Sequence, residues 1–324
     1  MQNFRPSSLD GFIGQERVRK VLQILCRSAK AKQTAVSHVL LSGPPGLGKT
    51  TLSRVISLEM NSRLVETIGG NMQAPEQLVA LLRSLKPLDI LFIDEIHAMP
   101  RAVEEILYPA MEDGTVPMVK TESSDFMRAL GVPAKPATEM VSLPSFTLIG
   151  ASTMSGLVSA PLRSRFSHEL TLEPYGLDDL TRIVLNASRM MGIDLAPEVA
   201  LEVARRSRST ARIAIGHLRW LAEYSSGLGI EPDIDAVREA FAMRDVDSCG
   251  LTGQDRRYLE MLIRAGQPVG LASVSAALNE TVETIEQAME PHLIREGLIR
   301  RAPRGRVATE RARDMFATLQ EVVP

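Results

Sequence analysis

The stretch LLSGPPGLGKTTLSRV, residues 40–55, decides how this chain of 324 residues begins to fold. Glycines and prolines separate an apolar run from a helical pattern, which predicts a strand, a tight loop and a helix. Residues 43–51 fit the phosphate-loop pattern G-x-x-x-x-G-K-T in that strand-to-helix context. The alternative, a Gly-Pro turn with a stray lysine, does not account for the strand and helix on either side.

The loop has the composition that binding of a nucleoside triphosphate requires. Small residues such as Gly46 and Gly48 let successive backbone N–H groups close on phosphate oxygens, and the start of the helix adds its positive dipole end. Lys49 is placed to reach the β and γ phosphates, the Thr50 hydroxyl to bind Mg²⁺, and Thr51 to complete the set. We therefore expect a nucleotide and Mg²⁺ here.

The first half of the chain has the pattern of a parallel sheet wrapped by helices. Helical patterns alternate with short apolar runs between residues 15 and 173, and such alternation indicates an α/β fold. The runs are HVLLSG, LVETIG, DILFIDE, SFTLIGAST and HELTLE. Residues 114–145 show neither a helical nor a strand period and are expected to form a long loop or a hairpin before the fourth of these runs.

The second half changes character twice. Residues 177–243 contain amphipathic helical patterns without strands, which predicts a small helical lid. Three further helical patterns follow, and an arginine-rich ribbon at 298–309 then suggests a winged helix. The predicted domains are 1–174, 175–246 and 247–324.

Composition excludes some classes of protein and leaves others open. The net charge is only −2, but lysine is absent after residue 135 while arginine is frequent in the later half, so a local nucleic-acid surface is possible. Cys26 and Cys249 have no metal-type spacing, and the first residues lack the features of an export signal. No apolar run approaches the roughly 20 residues that cross a bilayer. We expect a cytoplasmic protein without a membrane partner.

A second apolar strand pattern, DILFIDEIH at residues 89–97, ends in two carboxylates. Ligands of α/β proteins bind at the carboxyl ends of strands. Asp94 suits Mg²⁺, through water, and Glu95 suits polarisation of the water that attacks a phosphoryl group. A solvated loop start is the alternative, and the presence of Lys49 favours the catalytic interpretation.

The third strand pattern, FTLIGAST at residues 146–153, ends in hydroxyls. Thr153 is expected beside the γ-phosphate, where it could sense that group or cap the following helix. The motif APLRSRF at 160–166 then provides Arg163 and Arg165. An arginine inserted into a neighbouring subunit's site can raise turnover by about 10³ to 10⁵. A surface arginine without a role is the alternative, but the position just after the third strand favours the arginine finger.

These motifs, in their order along the chain, resemble the RuvB family of AAA+ ATPases. The shared segments include FRPSSLDGFIGQ, LYPAMED, APLRSRF, RSRSTARIA and EPHLIREGLIRRAPRGRVAT. The resemblance implies ATP and ADP as ligands, a homo-hexameric ring on duplex DNA, Holliday-junction branch migration, and RuvA as the junction-binding partner.

The resemblance also implies roles for individual residues. Arg165 would be the arginine finger given in trans, and Arg212 in STARIA the sensor arginine that moves the lid when ATP becomes ADP. Arg301 and Arg306 in the wing would contact DNA, a solvated basic hairpin being the alternative from charge alone. The residues implied to frame the nucleotide are Phe4, Arg5, Ile13, Gly14, Glu112, Asp113, Gly114, Tyr175 and Arg212.

The chain departs from the family pattern mainly in residues 115–142. There TVPMVKTESSDFMRALGVPAKPATEMVS replaces a shorter segment that docks RuvA in the family. Its apolar cluster of Phe126, Met127, Leu130 and Val132 is interpreted as a contact surface for a partner that differs from, or is altered from, the usual RuvA. The alternative is that the cluster folds back on the chain's own core. The other departures are Ile68-Gly69-Gly70, Ser152, Met154 and Val282.

Two other functions fit the same motifs. A nucleotide-switched DNA-binding regulator would use ATP to control assembly and the winged helix to recognise a site. A clamp-loader-like AAA+ protein would share the ATPase core. Glu95 and Arg165 favour turnover over slow switching, and the winged helix disfavours a clamp loader.

Overall fold

The computed structural model describes residues 5–121 and 136–321. The described residues up to 179, together with 210–212, form one compact unit, and the described residues in 180–209 and from 213 onward form a second. Phe4 and the apolar cluster of Phe126, Met127, Leu130 and Val132 lie outside the described residues, so the predictions for them stay predictions. None of the described helices is both long enough and apolar enough to cross a membrane.

A five-stranded parallel sheet forms the centre of the first unit, as the sequence pattern predicts. Its strands lie in the order β2-β3-β6-β1-β7. β1 and β6 are buried along their whole length, which explains why both are apolar without alternation. The strands of this unit are β1 Val39–Ser42, β2 Leu64–Ile68, β3 Ile90–Asp94, β4 Thr115–Thr121, β5 Pro136–Ser142, β6 Thr147–Ser152 and β7 His168–Thr171.

Helices cover this sheet and bury apolar faces against it. In the fourth helix Val103, Leu107 and Ala110 are buried, and they recur at the three- and four-residue spacing of one helix face. They join Leu91 and Leu148 of the sheet in one core. The helices are α1 Glu16–Lys32, α2 Lys49–Met60, α3 Pro75–Arg83, α4 Arg101–Glu112 and α5 Ala160–Arg163.

The segment before β6 is a hairpin. β4 and β5 pair antiparallel from Thr115 opposite Ser142 to Thr121 opposite Pro136. Of the two forms that the sequence left open, loop or hairpin, the structure therefore has the hairpin.

The remaining helices and strands follow the predicted lid and winged helix. The last helix was not anticipated, because charged residues interrupt its apolar pattern; Ala312 and Phe316 are buried in the core and Met315 packs against it. The elements are α6 Leu177–Met190, α7 Pro197–Arg205, α8 Ala211–Leu228, α9 Ile234–Ala242, α10 Gly253–Ala265, α11 Leu271–Leu278, α12 Val282–Thr284, a π-helical turn Ile285–Met289, α13 Glu290–Arg295, β8 Ile299–Ala302, β9 Gly305–Ala308 and α14 Glu310–Glu321.

Within the second unit, Arg208 joins the lid residues to the winged helix. Its guanidinium donates to the buried carboxylate of Asp255 and, at 2.8 Å, to the carbonyl of Gly250. Arg295 donates in turn to the carbonyl of Arg208 at 2.8 Å. Arg208 and Ser209 both have left-handed backbone conformations, which cost free energy in residues other than glycine and are therefore maintained by such surrounding contacts.

A buried carboxylate organises the winged helix. Glu290 is fully buried, and its oxygens accept hydrogen bonds from Tyr258 at 3.0 Å, Arg301 at 2.8 and 2.9 Å and Arg306 at 2.7 Å. Arg306 also donates to Glu286 at 2.7 Å. Burial by itself would raise the pKa of the Glu290 carboxyl, but the hydrogen bonds from Arg306, Arg301 and Tyr258 hold it below its ordinary value of 4.5. Arg301 and Arg306 of the ribbon are thus paired with α13 and the π-helical turn before it.

We predict that Arg306→Ala destabilises the winged helix by about 3–5 kcal/mol, because it leaves much of a buried charge without its partner. The stabilisation by Glu290 should be present above pH 4.5 and disappear as the pH falls through the lower pKa of the folded state. Hydrogen exchange of backbone amides in α10 and β9 of the full chain measures both effects.

Arg300→Ala is the matched control, since it removes an exposed arginine from the same ribbon and should change stability by no more than about 0.5 kcal/mol. Equal exchange rates in the two variants would show that Glu290 does not depend on Arg306.

Candidate active site

Lys49 lies at the carboxyl end of β1, as the first residue of α2. Its ammonium is almost fully buried and donates to the carbonyls of Gly43 at 2.6 Å and Pro44 at 3.0 Å. Burial lowers the pKa of this ammonium, while the charges of Glu95 and Asp94 oppose that shift. The loop thus holds a cation at the start of a helix, beside two carboxylates.

The residues predicted to bind Mg²⁺ are neighbours. The Thr50 hydroxyl donates to Asp94 Oδ2 at 3.3 Å. The two side chains are therefore close enough to hold one hydrated Mg²⁺, Thr50 as a direct ligand and Asp94 through water. The described residues contain no cluster of three or more His, Cys, Asp or Glu side chains that could hold a metal ion. Two oxygens suit Mg²⁺ because that ion keeps most of its ligands as water and phosphate.

Thr153 lies between the two predicted halves of the site, because β6 pairs with both β1 and β3. Its hydroxyl and its backbone N–H donate to Glu95 Oε2 at 2.8 and 3.0 Å. The helical turn that follows begins after Met154, so Thr153 does not cap it. His97 Nδ1 lies 3.4 Å from the same Glu95 oxygen and 2.9 Å from Ser152 Oγ. The carboxylate is therefore held by groups from two adjacent strand ends.

The backbone around Glu95 explains why residue 69 is a glycine. Glu95 has a left-handed conformation with φ 46°. A Cβ at position 69 would lie 2.4 Å from the Glu95 carbonyl oxygen, so only glycine fits there. Gly69 therefore remains in the divergent segment Ile68-Gly69-Gly70 for a steric reason.

Other residues that were predicted to contact the nucleotide lie together at the phosphate loop. Tyr175 donates its hydroxyl to the Leu47 carbonyl at 3.0 Å, and the Arg212 N–H donates to the Gly46 carbonyl at 3.3 Å. A Cβ at Gly46 would come within 2.5 Å of Thr210 and 3.0 Å of Arg212. Burial raises the pKa of the Tyr175 hydroxyl, which stays protonated.

Gly14 and Gly48 extend this group. A Cβ at Gly14 would lie 2.8 Å from the Tyr175 ring, and one at Gly48 would lie 2.9 Å from the Phe12 ring. Of the remaining predicted contacts, Arg5 is exposed and Ile13 is half-buried. Thr51 follows Thr50 in the first turn of α2.

Arg165 and Glu112 lie toward the amino-terminal ends of the strands, whereas the phosphate loop lies at their carboxyl ends. Arg165 comes three residues before His168, which pairs with Val39 at the start of β1, whereas the loop begins after Ser42 at the end of β1. Three residues of strand span about 10 Å. Arg165 Nη2 contacts Glu112 Oε1 at 3.2 Å, and Gly114 bonds to Leu143. Exposed Asp113 lies beside Glu112 in the chain.

The predicted DNA-binding arginines differ in exposure. The Arg301 side chain is 54% exposed and that of Arg306 only 13%, both being paired with Glu290. Arg300 and Arg304, which the sequence prediction did not single out, are exposed on the same ribbon. DNA could reach Arg300, Arg301 and Arg304 more readily than Arg306.

Sequence reasoning missed three residues of the site. Phe12 packs over Gly48, His97 approaches Glu95, and the ring of Tyr108 lies under Arg165 at 4.2 Å. His97 stands two positions after Glu95 and was visible as a polar residue at the strand end. Nothing local marks Phe12 or Tyr108, since each acts on a residue distant in sequence.

The chain matches three family models along its length. The Holliday junction DNA helicase RuvB P-loop domain covers residues 4–172, the RuvB AAA lid domain 175–247, and the RuvB C-terminal winged helix domain 248–317. The core, lid and winged helix expected from the sequence are confirmed.

Solved structures give the same result. The chain is 37% identical to the RuvB Holliday junction branch migration motor of Thermotoga maritima, over 99% of each chain, with a TM-score of 0.83. Two substituted forms of that protein are also 37% identical. One is matched over 99% of this chain and 100% of that chain with a TM-score of 0.84, and the other over 100% of each with a TM-score of 0.83. On these matches and on the geometry above, the chain belongs to the RuvB family.

Proposed function

We propose that this chain is an ATP-hydrolysing motor that drives branch migration of Holliday junctions in recombination and repair. The observation that carries the proposal is the convergence of Lys49, Asp94, Glu95 and Thr153 at one sheet edge in a chain of the RuvB family. It works in the cytoplasm, where its free cysteines Cys26 and Cys249 would stay reduced.

Each residue at the carboxyl ends of these strands has a different role in ATP binding or hydrolysis. Lys49 and the loop N–H groups bind the phosphates, while Thr50 and Asp94 would hold Mg²⁺, which would supply neutralisation of charge on the phosphate oxygens. Glu95 polarises the attacking water. Thr153 holds Glu95 through two hydrogen bonds and so links the carboxylate to the position of the γ-phosphate.

Arg165 completes the site of a neighbouring chain. Arg165 precedes the start of β7, and the length of β1, about 10 Å, separates that level of the sheet from the phosphate loop of the same chain. This separation supports a role at the nucleotide of another subunit. Glu112, Asp113 and Gly114 lie on the same side and would approach that same nucleotide. A closed homo-hexameric ring gives every subunit such a neighbour.

The winged helix supplies contact with duplex DNA through the ribbon. Arginines there bind phosphates without reading sequence, which suits a motor that acts on any DNA. The hairpin of β4 and β5 docks a RuvA-like junction-binding protein, altered to match its divergent sequence. A sequence-reading regulator and a clamp loader remain the alternatives, and the match to the RuvB winged-helix model favours the motor.

We expect Lys49→Ala to weaken ATP binding, because the buried ammonium that meets the phosphates is removed. Glu95→Gln should bind ATP with near-normal affinity and scarcely hydrolyse it, because only the water-polarising charge is removed. Nucleotide binding and steady-state hydrolysis, measured with a four-way junction present, distinguish the two roles. Glu105→Gln, an exposed carboxamide replacement on α4, is the control. Normal hydrolysis by Glu95→Gln would remove Glu95 from the mechanism.

The trans role of Arg165 predicts complementation. Arg165→Ala and Glu95→Gln proteins should each be nearly inactive, but a mixed ring contains some interfaces with an intact Glu95 and an intact Arg165. Mixtures should therefore recover part of the turnover, with a maximum at an intermediate ratio. If mixed rings form, as shown by differently tagged subunits, and no ratio recovers hydrolysis, the trans role is wrong.

The DNA surface predicts a reduction of affinity that does not depend on sequence. Arg300→Ala with Arg304→Ala should reduce binding to unrelated duplexes equally and lower the slope of log affinity against log salt by about 0.9 for each phosphate that the ribbon no longer neutralises. The control, Arg205→Ala with Arg238→Ala, removes the same charge from exposed lid positions. A reduction confined to one DNA sequence would instead support the regulator.

A further inference from the structure

The Arg165 side chain is folded onto its own chain in a defined position. Its guanidinium lies over the Tyr108 ring, 4.2 Å from the ring centre. Nη1 donates to the Pro161 carbonyl at 2.6 Å, and Nη2 contacts Glu112 Oε1 at 3.2 Å. Only 21% of the side chain is exposed. These contacts fix a long side chain that would otherwise sample many rotamers.

The ring under Arg165 is itself held in place. The Tyr108 hydroxyl donates to Glu104 Oε1 at 2.5 Å, and the Ser159 hydroxyl donates to the same oxygen. Glu104 is buried. Ser159 caps α5 by accepting the Leu162 N–H at 3.2 Å. One buried carboxylate therefore binds both the aromatic ring and the start of the helix that leads to Arg165.

Helical spacing explains why these residues act together. Positions 104, 108 and 112 of α4 are four residues apart and lie on one helix face. Glu104 holds Tyr108, Tyr108 supports the plane of the guanidinium, and Glu112 binds its edge. Arg163, the other arginine of the motif, instead donates to the Ser155 carbonyl and approaches Glu169. The structure thus distinguishes two arginines that the sequence presents almost side by side.

We propose that Tyr108 is the positioning residue of the arginine finger, holding the Arg165 guanidinium by stacking in the orientation that it presents to the neighbouring site. The inference rests on the proposed trans role of Arg165. Tyr108 touches no reacting atom, and its effect passes entirely through Arg165. Stacking needs an aromatic face but not the hydroxyl, which serves to anchor the ring.

A double-mutant cycle tests the proposal by measuring steady-state ATP hydrolysis with a four-way junction. Tyr108→Leu should lower kcat about 10- to 100-fold, as expected for a misplaced catalytic group, and leave KM for ATP nearly unchanged. In an Arg165→Ala background the same substitution should cause no further decrease, because its only route of action is already gone. Tyr108→Phe, which keeps the ring, should retain kcat within about threefold.

Two further variants distinguish the loss of Arg165 positioning from general damage to the structure. Glu105→Gln on the exposed side of α4 should leave kcat unchanged. Tyr108→Met replaces the ring with a flexible apolar chain, and it takes the place of leucine in the cycle if Tyr108→Leu melts early or fails to assemble. Thermal unfolding and ring assembly are measured for each protein.

The outcomes distinguish the inference from the function on which it rests. Normal turnover by Arg165→Ala would overturn the proposed trans role. A large decrease in Arg165→Ala together with unchanged kcat in Tyr108→Leu, or with decreases that multiply in the double variant, would overturn the role of Tyr108 alone.

Discussion

Parallel pairing of β1, β6 and β3 is the constraint on which the candidate site depends. Parallel strands bring their carboxyl ends to one edge, so residues that follow three separate strands become neighbours there. Lys49 follows β1, Thr153 follows β6 and Glu95 follows β3. Because β6 is the middle strand of the three, Thr153 stands between Lys49 and Glu95, the residues proposed to bind the phosphates and to polarise water.

The same pairing separates Arg165 from the loop. The segment that leads into β7 lies at the opposite edge, together with the end of α4 and the Glu112 side chain. In the function proposed above, the phosphate-binding end of the sheet in one copy of the chain receives Arg165 from another copy. Under that proposal, hydrolysis requires assembly of several copies.

Two buried carboxylates hold the side chains around Arg165 and the arginines of the ribbon in defined positions. Glu104 fixes the ring under Arg165, and Glu290 fixes Arg301 and Arg306 of the ribbon. A buried charge is costly unless it is paired and hydrogen-bonded, so each of these groups has a definite set of partners. Each carboxylate makes one arrangement of its arginine or aromatic partners more stable than the others.

The sequence by itself determined the phosphate loop, the carboxylates of β3 and the order of core, lid and winged helix, because each is encoded by neighbouring residues and a local period. It did not reveal α14, in which charged residues interrupt the apolar pattern. It left open whether residues 114–145 formed a loop or a hairpin, since strand pairing there depends on residues far apart. Only the tertiary structure decided that Thr153 holds Glu95, 58 positions away, that Tyr108 supports Arg165, and that Arg306 of the ribbon is paired with buried Glu290. The physical reason is that contacts between distant residues are set by how strands and helices pack, and local composition carries no record of that packing.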